Sequence, residues 1–509
     1  MRKNNGYTGM SNRDNILKII MLTLIVIIMA GAVAFIFTGI FRNGDQPPPA
    51  NVPVTTPDLS TSSERDPDTD SPDNTEGDNG YEPVSTPAVP SEPDVDPDQP
   101  ATPSETITMI SIEESYPDLH AKLDVESASH SSVGVSLVVY DGHTGDYYAY
   151  QYGFADRSAG RKVDAETKFR IASLSKFIVT ICAMSLVDSG LLDIDEDISA
   201  YLGYEVKSPG FPNTPITSRM LMQQTSSIYD SAGFMESLDR GTMNATQRLL
   251  SRNSTFTGTR PGSTYQYSNF GIAVLGAVVE LTSGKKLDAY VHEILFAPLD
   301  IDAAFLPSNI KDTDSIANIY NPQKLTLPAA TQLRRSASSD LGQDQSLGYG
   351  SLVISAVDYA KILAMLGNGG VFLGERILSS ESVAEIHNAD FSGPGFMQGL
   401  TSRYTGGGAG NIPADSDDIR LWLYTDKDGN SIPSEGFYWH TGSAWGLFSQ
   451  YIYVAGRGTD EGIGGVNTSR GVLVITTGAS TRRMSNGMVN VCNHLSAIAW
   501  EGLGFDKTG

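Results

Sequence analysis

The chain has 509 residues, enough for more than one domain, with a formal charge of −24 and a hydrophobic fraction of 40%. Such an acid surplus excludes nucleic acid as a partner, because phosphate backbones are bound by basic surfaces. The modest hydrophobic fraction implies that part of the chain buries nothing.

The first element is the apolar run from Ile19 to Phe41, interrupted only by Thr23 and Thr38. A run of about 20 apolar residues suffices to cross a bilayer as a helix. Arg2, Lys3, Arg13 and Lys18 precede it against Asp14 alone, and acidic sequence follows soon after Arg42. The positive-inside rule then places the tail, residues 1–18, in the cytoplasm. A cleaved signal peptide has an apolar core of only about 7–15 residues, so residues 19–41 read as an uncleaved single-pass anchor. The expected location is the cell membrane, with the rest of the chain extracytoplasmic.

Residues 42–105 hold about half of the 26 prolines, about 15 acidic residues and one basic residue besides Arg42, namely Arg65. With almost no large apolar side chains, this stretch cannot offset the entropy of ordering and reads as a disordered tether.

Residues 106–509 carry globular patterns. Val133–Tyr140 and Tyr147–Gly153 read as a hairpin around Asp141-Gly142. Helical periodicity runs from Ser173 to Ser189, with Gly190 as a stop, and recurs over 269–282, 356–367 and 486–500. Phe437–Trp439, Leu447–Val454 and Gly471–Thr477 read as strands. Strands at both ends with helices between predict an α/β (α+β) fold: an antiparallel sheet flanked by helices, plus a helical subdomain.

Cys182 and Cys492 lie in apolar helix-like runs and read as buried thiols, with one disulfide left open. Neither a Cys-x-x-Cys pair nor a Cys/His cluster is present, so no metal or cofactor is expected. Asp426–Asn430 reads as a turn rather than a calcium loop, because its glycine arrives too early for an EF-hand. Glu435 reads as a solvated acid near His440, and His387 and His494 receive no role.

Three short patterns carry chemistry. Ser173 and Lys176 stand one helical turn apart at the head of an apolar helix, so the amine can reach the hydroxyl. A serine hydroxyl becomes a competent nucleophile only when a neighbouring base takes its proton. Ser-x-x-Lys also occurs at Ser283 and Ser308, but the first follows a helix and the second lies in a polar loop. Tyr267-Ser268-Asn269 opens another apolar helix. A tyrosine beside a lysine cation has a lowered pKa and can shuttle that proton. The Asn269 amide can hold both the lysine and a substrate carbonyl. His440-Thr441-Gly442 lies between two strands, where a pocket wall needs a cation, a hydroxyl and a glycine that admits substrate. His143-Thr144-Gly145 sits in a hairpin turn and Lys507-Thr508-Gly509 at the chain end, so neither has that setting.

In this order, the three patterns resemble the signatures of serine β-lactamases and penicillin-binding proteins. The Tyr form of the second is similar to class C β-lactamases, DD-peptidases and related esterases. Phe169–Ser173, Gly190–Asp195, Pro215–Thr217, Tyr267–Gly271 and Gly369-Gly370 extend the likeness over most of residues 130–500. The resemblance implies that Ser173 is acylated, that Lys176 and Tyr267 share the proton transfers, and that Asn269 positions substrate. It also implies that His440 replaces a lysine, that Thr441 meets a substrate carboxylate beside Gly442, and that the backbone N–H groups of Ser173 and Ser443 form the oxyanion hole. The family often shows Leu-x-x-His-Thr-Ser-Gly where this chain has Leu221–Ser227, a departure that bears on pocket shape. The expected substrate is a D-alanyl peptide or ester of the cell envelope, with β-lactams also possible ligands. A class C-type β-lactamase and a catalytically silent surface module stay open as alternatives.

Overall fold

The computed structural model describes residues 107–505 except 143, 243, 394–395, 406–436, 456–468, 482 and 484–487. The expected anchor and tether lie outside the described residues, as do Asp426–Asn430, Glu435 and Lys507–Gly509. Among the described residues, no helix is long and apolar enough to cross a membrane.

One sheet organises this region. Its strands are β1 (Thr108–Ser111), β2 (Gly134–Asp141), β3 (Asp146–Asp156), β4 (Phe391–Gly393) and β5 (Phe396–Gln398). They continue with β6 (Arg403–Thr405), β7 (Phe437–Ala444), β8 (Leu447–Val454) and β9 (Arg470–Thr477). The spatial order is β1-β3-β2-β9-β8-β7-β6-β5-β4, and a tenth, two-residue strand, Arg161–Lys162, pairs with β3 off this path. The two chain ends meet in the middle, where β2 pairs with β9 from Gly134↔Thr477 to Asp141↔Arg470. Most pairings are antiparallel as expected, but β1 runs parallel to β3, so the sheet is mixed. The helical segment after β1 crosses over before β2 begins, which leaves β1 at the outer edge beyond β3.

The helices used below are α1 (Pro117–Ser129), α2 (Ser175–Asp188), α3 (Asn269–Ser283), α4 (Ala356–Gly367), α5 (Ser380–His387) and α6 (Asn490–Gly502). Both sheet faces are covered, and the period of two in the strands shows it. Val472 and Val474 of β9 join the cluster built with α1 and α6 through Leu119, Leu123, Leu495 and Trp500. Leu473 and Ile475 turn to the opposite, larger core, which contains α2, α3 and α4. Cys182 belongs to the larger core and Cys492 to the smaller one. Both are buried free thiols, so the open disulfide does not form.

The expected α4 and β8 match their observed limits, and α2 is capped by Ser189 with Gly190 at φ +70°. The strands β4, β5 and β6 escaped the sequence reading. They are three residues each, too short for a period to register.

Candidate active site

Ser173 lies in a 3₁₀ turn, Ala172–Leu174, that feeds α2 rather than in the α-helix itself. The preceding residue, Ala172, has φ +52°, a left-handed conformation that is strained for a residue with a Cβ. The turn is held by its surroundings. Ser175 Oγ donates to the Ala172 carbonyl at 2.6 Å and accepts from the Leu352 N–H at 3.1 Å. Tyr359 donates its hydroxyl to the Leu174 carbonyl at 3.2 Å.

Two groups converge on the Ser173 hydroxyl. Lys176 Nζ lies 3.1 Å from Oγ, and the Tyr267 hydroxyl lies 2.9 Å from it. Lys176 is fully buried and donates a second hydrogen bond to the Tyr349 carbonyl at 2.6 Å. Its charge falls on Tyr267. Burial pushes the Tyr267 phenol up, but the Lys176 charge and the hydrogen bonds from Lys176 and Ser173 outweigh it. The Arg403 charge adds to that pull, and together they hold the phenol below its ordinary 10.0.

Tyr267 and Asn269 are fixed by the loop that departs from the family pattern. Gln224, at φ +63°, accepts from the Ser268 N–H on its side chain at 2.6 Å and from the Gln266 N–H on its backbone at 2.7 Å. Ser268 caps α3 by accepting from the Gly271 N–H at 2.9 Å. Asn269 Nδ2 donates to Asp230 Oδ2 at 2.7 Å, while Asp230 Oδ1 accepts from the Phe270 N–H at 2.9 Å. The second partner of Lys176 is thus the Tyr349 carbonyl, and one N–H of the Asn269 amide is held by Asp230.

The third motif occupies β7. Strand β6 pairs with β7 only as far as Trp439, so the edge from His440 onward is left to the nucleophile turn. His440 is 3% exposed and its Nδ1 has no hydrogen-bond partner among the described residues. Burial, followed by the Arg403 and Lys176 charges, holds its pKa well below 6.5, so the ring is neutral. The positive charge expected at this position comes instead from two arginines. Arg483 donates to Thr441 Oγ1 at 3.1 Å, and Arg403 lies over the rings of Phe396 and Trp439, 4.6 and 5.0 Å from their centroids.

Gly442 has a steric reason besides the one the sequence suggested. A Cβ there would meet Ser449 Oγ at 2.3 Å, the Ile171 carbonyl oxygen at 2.5 Å and the Ser173 nitrogen at 3.2 Å. The missing side chain admits the nucleophile turn itself. Ser449 Oγ donates to the Ile171 carbonyl at 2.8 Å and completes the contact. Ser443, next along β7, pairs with Phe448 of β8.

The structure therefore brings Ser173, Lys176 and Tyr267 into one hydrogen-bonded group, with the His440–Gly442 strand against the nucleophile turn. Ser283 ends α3 and Ser308 lies in a short turn, so neither competing Ser-x-x-Lys has this setting. Sequence reasoning missed Asp230, Tyr349, Arg403 and Arg483. Gln224 lies in the loop that reading had singled out. The arrangement can move a proton between Ser173 Oγ and Tyr267, with Lys176 stabilising the phenolate.

Penicillin-binding protein 4 of Amycolatopsis lactamdurans is 26% identical over 368 residues, covering 68% of this chain and 85% of that one. Esterase EstB of Burkholderia gladioli is 31% identical over 172 residues, which cover 31% of this chain and 44% of the esterase. A penicillin-binding protein homologue from Pyrococcus abyssi has the same fold at TM-score 0.55 and 18% identity, covering 77% of this chain and 78% of that one. The model of the Beta-lactamase family matches residues 119–483, and the chain is a serine hydrolase that belongs to that family.

Proposed function

We propose that this protein is a membrane-anchored, extracytoplasmic enzyme that forms an acyl-enzyme on Ser173 and acts on D-alanyl peptides or esters of the cell envelope. The observation that carries the reading is the pair of hydrogen bonds on Ser173 Oγ, 3.1 Å from Lys176 and 2.9 Å from Tyr267. The Tyr267 phenolate takes the proton of Ser173, and Oγ attacks the carbonyl carbon. The backbone N–H groups of Ser173 and Ser443 receive the oxyanion. Tyr267 then returns its proton to the leaving amine or alkoxide. Water, deprotonated by the same phenolate, hydrolyses the acyl-enzyme.

A substrate carboxylate fits Thr441, where Arg483 and Arg403 supply the positive charge and the neutral His440 does not. This supports a peptide or β-lactam with a free carboxylate as substrate. Asn269, oriented by Asp230, faces the acyl side of that substrate in this reading. Residues 19–41 anchor the enzyme and residues 42–105 hold it away from the membrane. Added protease that fails to reach residues 106–509 in intact cells would invert this topology.

The test is intact mass of the full chain, in detergent, after incubation with benzylpenicillin, with Ser173→Ala as control. A Ser173-dependent adduct that persists supports a DD-peptidase. Rapid loss of the adduct assigns a β-lactamase. No adduct, together with Ser173-dependent hydrolysis of a p-nitrophenyl ester, assigns an esterase. No adduct and no hydrolysis would leave a silent binding module.

A further inference from the structure

A second cluster of chemically capable side chains lies away from Ser173, in the smaller core's α1–α6 contact. Glu126 is in the last turn of α1, His130 follows one turn later just beyond its end, and His494 is in α6. One ligand atom from each lies within 4.8 Å of the others. His130 Nε2 is 3.0 Å from Glu126 Oε1, and His494 Nδ1 is 2.6 Å from the same oxygen.

We propose that Glu126, His130 and His494 form a binding site for a divalent transition metal of the zinc type, which clamps α1 to α6. Two imidazoles and one carboxylate are the donor types that zinc accepts, with bond lengths of about 2.0–2.2 Å. Tetrahedral geometry at such lengths separates donor atoms by about 3.3–3.5 Å. The two Glu126 contacts, at 3.0 and 2.6 Å, reach that value with a small outward rotation of partly buried side chains.

The orientation of His130 is the second observation. Its Nδ1 lies 2.9 Å from the Ser480 carbonyl, which accepts only from an N–H. In a neutral ring that leaves Nε2 with its lone pair, directed at another acceptor, Glu126 Oε1. A cation between the two satisfies both. A backbone carbonyl on the far nitrogen is also the usual way a metal-binding histidine is held in one tautomer. Three protein ligands leave a fourth position for water. The Glu126–His494 contact joins residues 368 positions apart in the chain. A metal there therefore ties the first long helix of the described region to its last.

The test uses the untagged full chain, stripped with a chelator and dialysed, then titrated with Zn²⁺ against a chromophoric competitor. One equivalent should bind, at least tenfold more weakly in His494→Ala and in Glu126→Gln. A zinc-dependent rise in melting temperature should be lost in both variants. Co²⁺ should give visible d–d absorption in the wild type that is absent from His494→Ala. Glu126→Gln preserves shape, and circular dichroism checks that each variant is folded. Zinc binding that both substitutions leave unchanged, or no zinc bound by the wild type, overturns the proposal and leaves a hydrogen-bonded His–Glu–His group only.

Discussion

Gly442 faces Ser173 so closely that a Cβ added to the glycine would lie 3.2 Å from the serine nitrogen. It would also press on the Ile171 carbonyl and on the Ser449 hydroxyl, neither of which is the free end of a long side chain. Gly442→Ala must therefore shift the turn that carries the nucleophile. Overpacking of this kind costs about 1–3 kcal/mol. Displacing an oxyanion donor lowers rate by about 100–1000-fold. The expected result is a folded variant with a lower melting temperature and a benzylpenicillin acylation rate reduced by that order.

Tyr267→Phe removes the proposed proton carrier but keeps the ring. General acid–base contributions are about 100–10,000-fold, so acylation of Ser173 should slow within that range, as intact mass at timed intervals would show. An unchanged rate would pass the role to Lys176 alone.

Arg403 is among the charges that hold the Tyr267 phenol down. Arg403→Gln removes one of them, so the phenolate forms only at higher pH. The acid limb of the pH–kcat/KM profile should move upward. The same substitution raises KM for a carboxylate-bearing substrate more than for a neutral ester. A limb that stays in place excludes Tyr267 as the titrating base.

Asp230→Ala frees the Asn269 amide and leaves the Phe270 N–H without its acceptor. Loss of hydrogen bonds to a charged acceptor costs about 1.5–3 kcal/mol in stability. Because Asn269 positions substrate in the proposed mechanism, KM should rise as well. Denaturant midpoints and initial rates measure the two effects separately.

His387, the last residue of α5, is half-buried and stacks on Tyr438 at 4.4 Å between ring centroids, with Nε2 2.8 Å from the Tyr453 hydroxyl. Burial holds its pKa down from 6.5 to about 4. Between those values the unfolded chain binds a proton that the folded chain does not. Stability therefore falls as pH drops from 6.5 toward 4, and His440 acts in the same direction. Urea midpoints should decline over that window, and His387→Gln should flatten the decline.

The catalytic centre was legible where its chemistry is local. Ser173 and Lys176 share one helical turn, and Tyr267 and Asn269 share one helix start, so spacing alone brings each pair together. What was illegible depends on approach in space. Asp230 reaches Asn269 across a stretch with no periodic signal, and Arg403 sits on a three-residue strand. Tyr349 contributes a backbone carbonyl, which no residue type announces. Gly442 carries a second requirement that no pattern showed, the close approach of the Ile171 carbonyl. Likewise β1 gave no sign of its parallel partner, since direction in a sheet is set by the path of the connecting helix.

The hydrogen bond from Ser449 to the Ile171 carbonyl spans 278 positions of sequence. At about 5–20 residues per second, a ribosome delivers the strand side of the site roughly 15–60 s after the nucleophile. Until then Ser173 lacks the wall that would hold an oxyanion, and β2 lacks the partner β9 that closes the sheet. With the oxyanion donors proposed above, a nascent or C-terminally truncated chain is therefore without hydrolytic power, and competence arrives only with the last strands of the molecule.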